Sequence, residues 1–356
     1  MAYLKLYRDR LQYNYNHLKK LFADKDVSWG VVTKLFCGHE QFLREIADLG
    51  VTEMHDSRIS NLKMIKRVSP DVQTVYIKPP PRHSIKSIIR YADVSFNTEF
   101  ETIRLLSDEA VRQDKQHKII IMIEMGDLRE GVMREELVAF YASVYNLPNI
   151  QIVGIGTNLN CLHGVMPSSD KLIQLSLYKQ IIELKLNIKI PWVSGGTTVT
   201  LPLLIRGDLP AGVNHFRVGE ALYFGADLFS GSTIEGMRDD ILRLYTEIIE
   251  IYEKPVVPSG DMGANPMGQT TEIDESLIGQ TSTRAIIDIG QLDINPDFLL
   301  PVDPDVTIVD ASSDMLVLDV ADNKRNLKVG DKITFNLKYM GALSIMNSRY
   351  IDKIVE

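Results

Sequence analysis

The segment VSWGVVTKLFCGHEQFLREIADLGVTEMHD, residues 27–56, contains one complete strand–helix–strand unit. Residues 27–34 and 51–56 are short runs rich in apolar residues, as in the strands of a buried sheet. Between them, residues 39–50 place apolar side chains three and four positions apart, which is typical of a helix lying on a sheet. This unit predicts parallel strands connected by helices.

Units of the same kind follow over the first two thirds of the chain. The predicted strands are residues 27–34, 51–56, 73–78, 92–97, 118–125, 151–158, 190–196 and 214–219. Eight strand–helix units in succession predict a closed (β/α)₈ barrel of the TIM type, whose active site lies at the carboxyl ends of the strands. A doubly wound open sheet is less favoured, because no glycine-rich dinucleotide turn follows the first strand.

The pattern changes after about residue 238. Short alternating apolar runs are separated there by Gly, Pro and Asp, which predicts antiparallel strands. Residues 258–276 lack apolar periodicity and are predicted to form a long exposed loop. We therefore expect two domains, a barrel over residues 1–237 and a C-terminal, mostly antiparallel β domain over residues 238–356.

Composition excludes several classes of protein. The net charge of −8 argues against nucleic-acid binding, which needs a basic surface. The start of the chain, MAYLKLYRDR, lacks the pattern of a signal peptide, and no apolar run is long enough to span a membrane. Two cysteines cannot form a disulfide scaffold. We expect a soluble, cytoplasmic protein that acts on a small molecule.

Lys34 is the first candidate for chemistry, because it ends an otherwise apolar strand. At the mouth of a barrel a desolvated lysine has a lowered pKa, and its neutral amine can form a Schiff base. The alternative is a lysine that only extends to the rim of the barrel.

Two glycine-bearing loops follow the seventh and eighth strands. SGGTTVTLP (194–202) offers glycine amides and two hydroxyls, and FRVGEALYFG (216–225) offers a second glycine turn. Loops at these two strands usually form the phosphate site of such barrels. Arg217 lies inside the last strand, where a buried arginine must face a ligand or pair with an acid such as Glu124.

Cysteine and histidine occur in two similar pairs, Cys37-Gly-His39 and Cys161-Leu-His163. Four such ligands could hold zinc, but this spacing is not a usual one, so we predict no metal. Paired cysteine bases of a cofactor-free racemase are a second possibility. Structural cysteines near the barrel mouth are favoured over both.

Together these segments resemble the fold-type III pyridoxal 5'-phosphate (PLP) enzymes, the alanine racemase group, and within it the alanine/ornithine racemase branch. VVTKLFCGHE is similar to the family's cofactor-lysine strand, which implies that Lys34 carries PLP. FRVGEALYFG resembles the strand whose arginine faces the pyridine nitrogen, here Arg217, followed by Gly219 and Glu220, whose amides would bind the phosphate.

The resemblance implies further site residues. SGGTTVTLP is similar to the phosphate loop, which gives that role to Ser194, Gly195, Gly196, Thr197 and Thr198. EMGDLREG resembles the segment whose arginine orients the substrate and the second base, here Arg129. ASSDMLVLDV is similar to the turn whose acidic residue, Asp314, borders the partner's active site. SIMNSRYI resembles the segment whose tyrosine, Tyr350, binds the phosphate.

Two positions depart from the family pattern. Gln291 stands where the family has its tyrosine base, and Asn158 stands where a histidine usually stacks over the cofactor. The second base is therefore open, with Tyr339, Asp293 and Cys161 as candidates. The resemblance implies an amino-acid racemase acting on alanine or an ornithine-like substrate, as a homodimer with shared active sites. Alternatives are a non-catalytic PLP-binding protein, or a decarboxylase or aldolase of the same fold.

Overall fold

The structure, a computed structural model, describes residues 2–264, 268, 270 and 272–356, which form two compact units. Tyr7–Ile241 make up one, here named the barrel unit. Leu242–Glu356, with the described residues up to Leu6, make up the C-terminal unit. The sequence predicted a boundary at residues 237/238, with the first residues in the barrel. The first strand, β1 (Tyr3–Leu6), instead joins the C-terminal unit because it pairs with Leu242–Pro255 and Asp352–Val355 of that unit.

The barrel unit contains a nine-stranded parallel sheet. Its strands are β2 (Ser28–Val32), β3 (Glu53–Asp56), β4 (Gln73–Tyr76), β5 (Val94–Asn97), β6 (His117–Met122), β7 (Ile150–Gly156), β8 (Trp192–Ser194), β9 (Gly196–Thr197) and β10 (His215–Val218). They are hydrogen-bonded in the order β8-β7-β6-β5-β4-β3-β2-β10-β9. Because β9 continues β8 after Gly195 and pairs with β10, the sheet closes on itself. The predicted (β/α)₈ barrel is confirmed.

Helices alternate with the barrel strands. They are α1 (Arg8–Asp24), α2 (Glu40–Asp48), α3 (Ile59–Val68), α4 (Ile85–Tyr91), α5 (Phe100–Arg112), α6 (Leu137–Tyr145), α7 (Ser169–Leu186), α8 (Leu201–Arg206) and α9 (Glu220–Phe224), followed by a hairpin of β11 (Ala226–Asp227) and β12 (Ser232–Thr233). Helix α2 buries Phe42, Leu43 and Ile46, the positions that the periodicity assigned to the sheet-facing side. Side-chain caps begin two of the longer helices, Glu99 on α5 and Ser168 on α7.

The inside of the barrel unit combines apolar packing with an unusual set of buried polar groups. One apolar cluster comprises Val75, Val94, Phe96, Ile120, Met122 and Val153. The strands also bury polar side chains, namely Glu53, His55, Asp56, Thr74, Ser95, Asn97, His117, Ser194, His215 and Arg217. Buried polar groups need hydrogen-bond partners to offset their desolvation, so the hydrogen bonds of these residues determine how their side chains are arranged.

The C-terminal unit is a mostly antiparallel sheet, as predicted. After β1 its elements are β13 (Leu242–Pro255), β14 (Thr281–Ile287), β15 (Leu299–Pro301), β16 (Thr307–Ala311), β17 (Leu316–Asp319), β18 (Lys332–Leu337), α10 (Tyr339–Asn347) and β19 (Asp352–Val355). The main path runs β15-β18-β13-β14-β17-β16, and β1 pairs with β13 and, in parallel, with β19. The loop predicted at residues 258–276 includes 265–267, 269 and 271, which lie outside the described residues. None of the described helices is long and apolar enough to cross a membrane.

Candidate active site

Lys34 lies just past the carboxyl end of β2, at the end of the barrel where the sequence predicted the site. Strand β2 ends at Val32, and Lys34 begins a short 3₁₀ helix that extends to Phe36. The lysine is exposed rather than desolvated, because the strand stops two residues before its predicted end. Thr33 fixes the turn, since its hydroxyl is 3.0 Å from the carboxylate of buried Asp56.

Asp56 and Glu220 are the acids that border this end of β2. Burial raises the pKa of Asp56 to about 6, although hydrogen bonds from Arg58 N–H, Thr33 and Asn61 act in the opposite direction. Burial also raises the pKa of Glu220, and the positive charge of Lys34 partly offsets that rise. Lys34 and Glu220 therefore lie within electrostatic range, so the ends of β2 and β10 face a common space.

Arg217 is buried in β10, and both of its terminal nitrogens make hydrogen bonds within the barrel unit. Its Nη1 donates to the Ser194 carbonyl at 2.7 Å and to the Ser194 hydroxyl at 2.6 Å, and its Nη2 donates to the Thr157 carbonyl at 2.7 Å and to Asn158 Oδ1 at 2.8 Å. Burial lowers its pKa to about 10, so it stays positively charged at neutral pH.

The ion pair with Glu124 considered for Arg217 is wrong. None of the four acceptor atoms of Arg217 is a carboxylate oxygen. Glu124 Oε1 instead accepts from the backbone N–H groups of Gly126 and Leu128, which closes the turn after β6.

A polar bridge connects Arg217 with Arg129. Asn158 accepts from Arg217 and donates through Nδ2 to Glu130 Oε1. Glu130 also forms an ion pair with Arg129, whose Nη2 is 2.6 Å from Oε1. Arg129 and Arg217, which were predicted from separate segments, therefore belong to one network. Glu130 was missed, because a carboxylate beside an arginine in the sequence gave no sign that it would also reach Asn158.

The two predicted phosphate loops lie side by side. Strand β9 pairs with β10, and Thr198 Oγ1 accepts from the backbone N–H of Ala221 at 3.2 Å. A short 3₁₀ helix begins at Thr198 and α9 begins at Glu220, so the first-turn amides of both helices meet in one place. Such amides are the usual partners of a phosphate group, so these residues fit the phosphate of PLP.

Glycine is needed in this loop for reasons of space. A Cβ atom on Gly196 would lie 2.1 Å from the ring of Phe216, and one on Gly195 would lie 2.9 Å from Leu175. Thr197 uses its hydroxyl within the loop, since it accepts from the backbone of Thr200 while the Thr200 hydroxyl accepts from Thr197 N–H. Thr198 instead accepts from Ala221, so its hydroxyl lies where the two predicted phosphate loops meet.

A line of buried polar groups under Arg217 was not predicted. The Ser194 hydroxyl is 2.7 Å from His215 Nδ1, and His215 Nε2 is 2.8 Å from Glu53 Oε1. His55 Nε2 contacts the same oxygen of Glu53. The sequence did carry a signal, because residues 53 and 55, and 215 and 217, are two apart within predicted strands and so share one face.

A model of the family described as "Alanine racemase, N-terminal domain" matches residues 6–227. The chain is 34% identical to the ornithine racemase of Acetoanaerobium sticklandii over 346 residues, 97% of each chain. It is 33% identical to the lysine racemase of Thermotoga maritima, over 91% of this chain and 90% of that protein. The chain belongs to the alanine racemase family. The predicted resemblance is confirmed.

A solved structure within the alanine racemase fold is also similar. The alanine racemase of Bartonella henselae, described with covalently bound pyridoxal phosphate, has a TM-score of 0.75 and 16% identity, and the match covers 100% of this chain and 99% of that one. This likeness supports the barrel followed by a β domain.

The alanine racemase resemblance also named residues in the C-terminal unit, and the structure brings several of them onto neighbouring turns. Gln291 N–H donates to the Ser312 carbonyl and Leu292 N–H to the Ser313 carbonyl, so the turn at residues 290–293 lies against the turn that holds Asp314. Gly290 has no room for a side chain there, because its Cβ would lie 2.4 Å from Ser313 O.

Tyr350 lies near the same turns. Ser348 donates to Asp293 Oδ1 at 2.9 Å, and the backbone N–H of Tyr350 donates to the Ser348 hydroxyl at 3.2 Å. Asp314 accepts from Ser313 at 2.6 Å and is exposed, and Tyr350 is 80% exposed. Asp314 and Tyr350 thus form one exposed group in this unit, with the partly buried Asp293 beside them.

The cysteine–histidine pairs have separate surroundings. Asp127 accepts from the backbone N–H groups of Cys161, Leu162, His163 and Val165, which fixes the loop after β7. Cys37 and Cys161 are not joined by a disulfide. Within the described part of the chain, the group whose ligand atoms come together is a different one, Glu53, His55 and His215.

Proposed function

We propose that this chain is a PLP-dependent amino-acid racemase whose substrate is an amino acid with a second amino group, such as ornithine or lysine. The observation that carries the proposal is the meeting of Lys34, Arg217 and the Thr198–Ala221 loop contact at the carboxyl ends of adjacent strands. The substrate class is supported by similarity to relatives named ornithine racemase and lysine racemase over nine tenths or more of the chain.

Most of the residues that would hold PLP belong to the barrel unit. Lys34 would bind it covalently, Thr198 and the amides of Gly219 and Glu220 would bind its phosphate, and Arg217 would contact its pyridine nitrogen. When bound to an amino acid, PLP withdraws electrons and acidifies the α-carbon. A permanently charged arginine at the pyridine nitrogen keeps that nitrogen unprotonated, which favours brief proton removal over transamination.

Proton transfer would then be the work of this chain's side chains. Lys34, once released by the substrate, can move the α-proton on one face through its amine. Inversion needs a second acid/base on the opposite face. Of the three candidates, Cys161 shares the barrel unit with Lys34, whereas Asp293 and Tyr339 belong to the C-terminal unit. Arg129, held by Glu130, would orient the substrate carboxylate.

We further infer a homodimer in which the C-terminal unit of one chain completes the active site of the other. The inference is supported by the exposed group of Asp314 and Tyr350, which offers an acidic and a phenolic side chain in a unit without the lysine. A closed site excludes water and so strengthens the interactions that stabilise developing charge. A C₂ arrangement would form two equivalent sites at once. Residence in the cytoplasm stays a prediction.

The test is to incubate the PLP-loaded protein with L-ornithine, L-lysine, L-serine and L-alanine in D₂O. A racemase forms the D-isomer with deuterium at the α-carbon, fastest for the diamino acids if the substrate class is right. Lys34→Ala should lose this activity, whereas Lys63→Ala, which removes another exposed lysine, should keep it.

Covalent attachment is checked separately. Borohydride reduction and peptide mapping should place the pyridoxyl group on Lys34. Attachment to another lysine would contradict the assignment. Release of carbon dioxide or of an aldehyde would indicate a decarboxylase or an aldolase, and binding without turnover would indicate a non-catalytic PLP-binding protein.

A further inference from the structure

The series of buried hydrogen bonds from Arg217 to Glu53 has a defined direction from donor to acceptor. A guanidinium can only donate, so Ser194 Oγ must accept the 2.6 Å bond from Arg217 Nη1. The hydroxyl proton of Ser194 is then free to be donated to His215 Nδ1, 2.7 Å away. With Nδ1 as acceptor, neutral His215 carries its proton on Nε2 and donates it to Glu53 Oε1 at 2.8 Å. Every donor in this series of hydrogen bonds therefore has an acceptor.

Glu53, a carboxylate, is the last residue in this series of hydrogen bonds. Its second oxygen accepts from Gln73 Nε2 at 2.7 Å, and His55 Nε2 contacts the first. Both oxygens of Glu53 thus accept hydrogen bonds, which stabilise its ionised form. A buried negative charge is thereby connected to the buried positive charge of Arg217 through two neutral side chains.

Glu53, His55 and His215 are also a possible set of metal ligands, but the distances between their polar atoms are those of hydrogen bonds. Two ligand atoms about 2.0–2.1 Å from a tetrahedral zinc lie roughly 3.3 Å apart. His215 Nε2 and Glu53 Oε1 are 2.8 Å apart, and His55 Nε2 is closer still to that oxygen. His215 is also engaged on its other nitrogen by Ser194.

We propose that Glu53, His215 and Ser194 are positioning residues, which fix the Arg217 guanidinium so that it faces the pyridine nitrogen of PLP and suppresses transamination. The proposal rests on the proposed function. Arg217 is 4% exposed and donates hydrogen bonds to Ser194 on one side and to Asn158 on the other. Ser194 is in turn held by hydrogen bonds that continue through His215 to Glu53. Without His215 or Glu53, Ser194 and Arg217 could change their hydrogen-bond partners.

The barrel contains a matched control. His117 is also a buried histidine at the start of a strand, and its Nε2 is 2.8 Å from the hydroxyl of buried Ser95. The described contacts of this second pair do not include Arg217. His215→Leu and His117→Leu therefore remove similar buried hydrogen bonds, and Ser194→Ala and Ser95→Ala form a second matched pair should a histidine variant fail to fold.

The experiment measures two properties of each PLP-loaded variant, the dissociation constant of PLP and the ratio of pyridoxamine phosphate formed to substrate racemised. His215→Leu should weaken PLP binding and raise the ratio by about tenfold to a hundredfold, the range for losing hydrogen bonds to charged groups. His117→Leu should change neither by more than about twofold. His215→Gln, which keeps a donor and an acceptor, should recover part of both effects.

A third measurement uses the protein without PLP. ¹⁵N NMR of the histidine rings should find His215 neutral with its proton on Nε2. Protonation of Nδ1, or a stoichiometric metal bound by Glu53, His55 and His215, would overturn the proposal. So would equal effects of His215→Leu and His117→Leu in a wild type that racemises. A wild type that does not bind PLP would instead overturn the proposed function.

Discussion

Arg217 in the barrel unit and Tyr350 in the C-terminal unit are candidates for contacts with the same cofactor, yet the two side chains are held in opposite ways. Arg217 is 4% exposed and makes four hydrogen bonds to its own unit. Tyr350 is 80% exposed, and its described hydrogen bond is made by its backbone N–H. The barrel residues are therefore preorganised within one unit, which suits groups that must not rearrange during a reaction.

The exposed group in the C-terminal unit presents the contrasting case. Asp314 and Tyr350 lie on or near neighbouring turns, but that unit leaves both residues exposed. Exposed acids on turns commonly do no more than cap backbone amides. If these residues take part in catalysis, their order must come from a partner chain.

The largest expected effect comes from combining the two regions. Lys34→Ala and Asp314→Ala should each be inactive as homodimers, because one lacks the barrel lysine and the other the exposed acid. Mixed dimers would contain one intact barrel and one intact C-terminal unit at a single site. After random subunit exchange, activity should return to about a quarter of the wild type, as expected for one working site in half of the dimers.

The matched variant for this experiment is Asp310→Ala, which removes another exposed acid of the same unit. Its homodimer should stay active. No recovery after proven subunit exchange between inactive parents would contradict site sharing, and a monomeric active protein would exclude it. Either result would leave the exposed group with a capping role alone.

A second prediction concerns the stability of the buried polar interior. Burial lowers the pKa of His117 to about 4, from the ordinary value of 6.5. Between these values the unfolded chain takes up a proton that the folded chain refuses, so the free energy of unfolding falls as the pH falls. The shift corresponds to up to about 3 kcal/mol, which is fully present above pH 6.5 and lost by about pH 4.

The measurement is a difference between variants, because Asp56 titrates in the same window with the opposite sign. Its raised pKa of about 6 makes the folded state gain stability as the pH falls. Between pH 7 and pH 4.5, the unfolding midpoint of His117→Gln should therefore rise relative to that of the wild type, because the variant lacks the buried histidine that destabilises the folded state at low pH. His83→Gln, at an exposed histidine, should follow the wild type, and a His117→Gln variant that also does so would contradict the shift.

Much of the fold was predictable, because apolar periodicity reports burial directly. All eight predicted barrel strands are present, with ends displaced by a few residues. The displacement at β2 mattered, since ending at Val32 leaves Lys34 exposed. Burial patterns do not report which polar groups pair with each other. The Ser194–His215–Glu53 chain and the Asn158–Glu130 bridge depend on contacts between strands that only closure of the barrel creates.

The smallest of these effects is expected at Thr198, where the buried barrel meets the predicted phosphate loops. Its hydroxyl accepts from Ala221 N–H, which leaves the hydroxyl proton available for a phosphate oxygen. Thr198→Val keeps the shape and removes that donor. PLP affinity should fall by about 1.5–3 kcal/mol, the range for a hydrogen bond to a charged group, or roughly tenfold to 150-fold.

Thr74→Val provides the comparison for this last change. Thr74 is a buried threonine of β4 whose hydroxyl donates to the Tyr91 carbonyl at 2.8 Å, so its replacement also removes a buried hydroxyl. Both variants should lose stability, but only Thr198→Val should lose PLP affinity in a direct titration. Equal affinities would mean that backbone amides alone hold the phosphate. In that case the closely packed Gly195 and Gly196, which bring those amides together, would form the anion site of the barrel. A loop hydroxyl would not be needed.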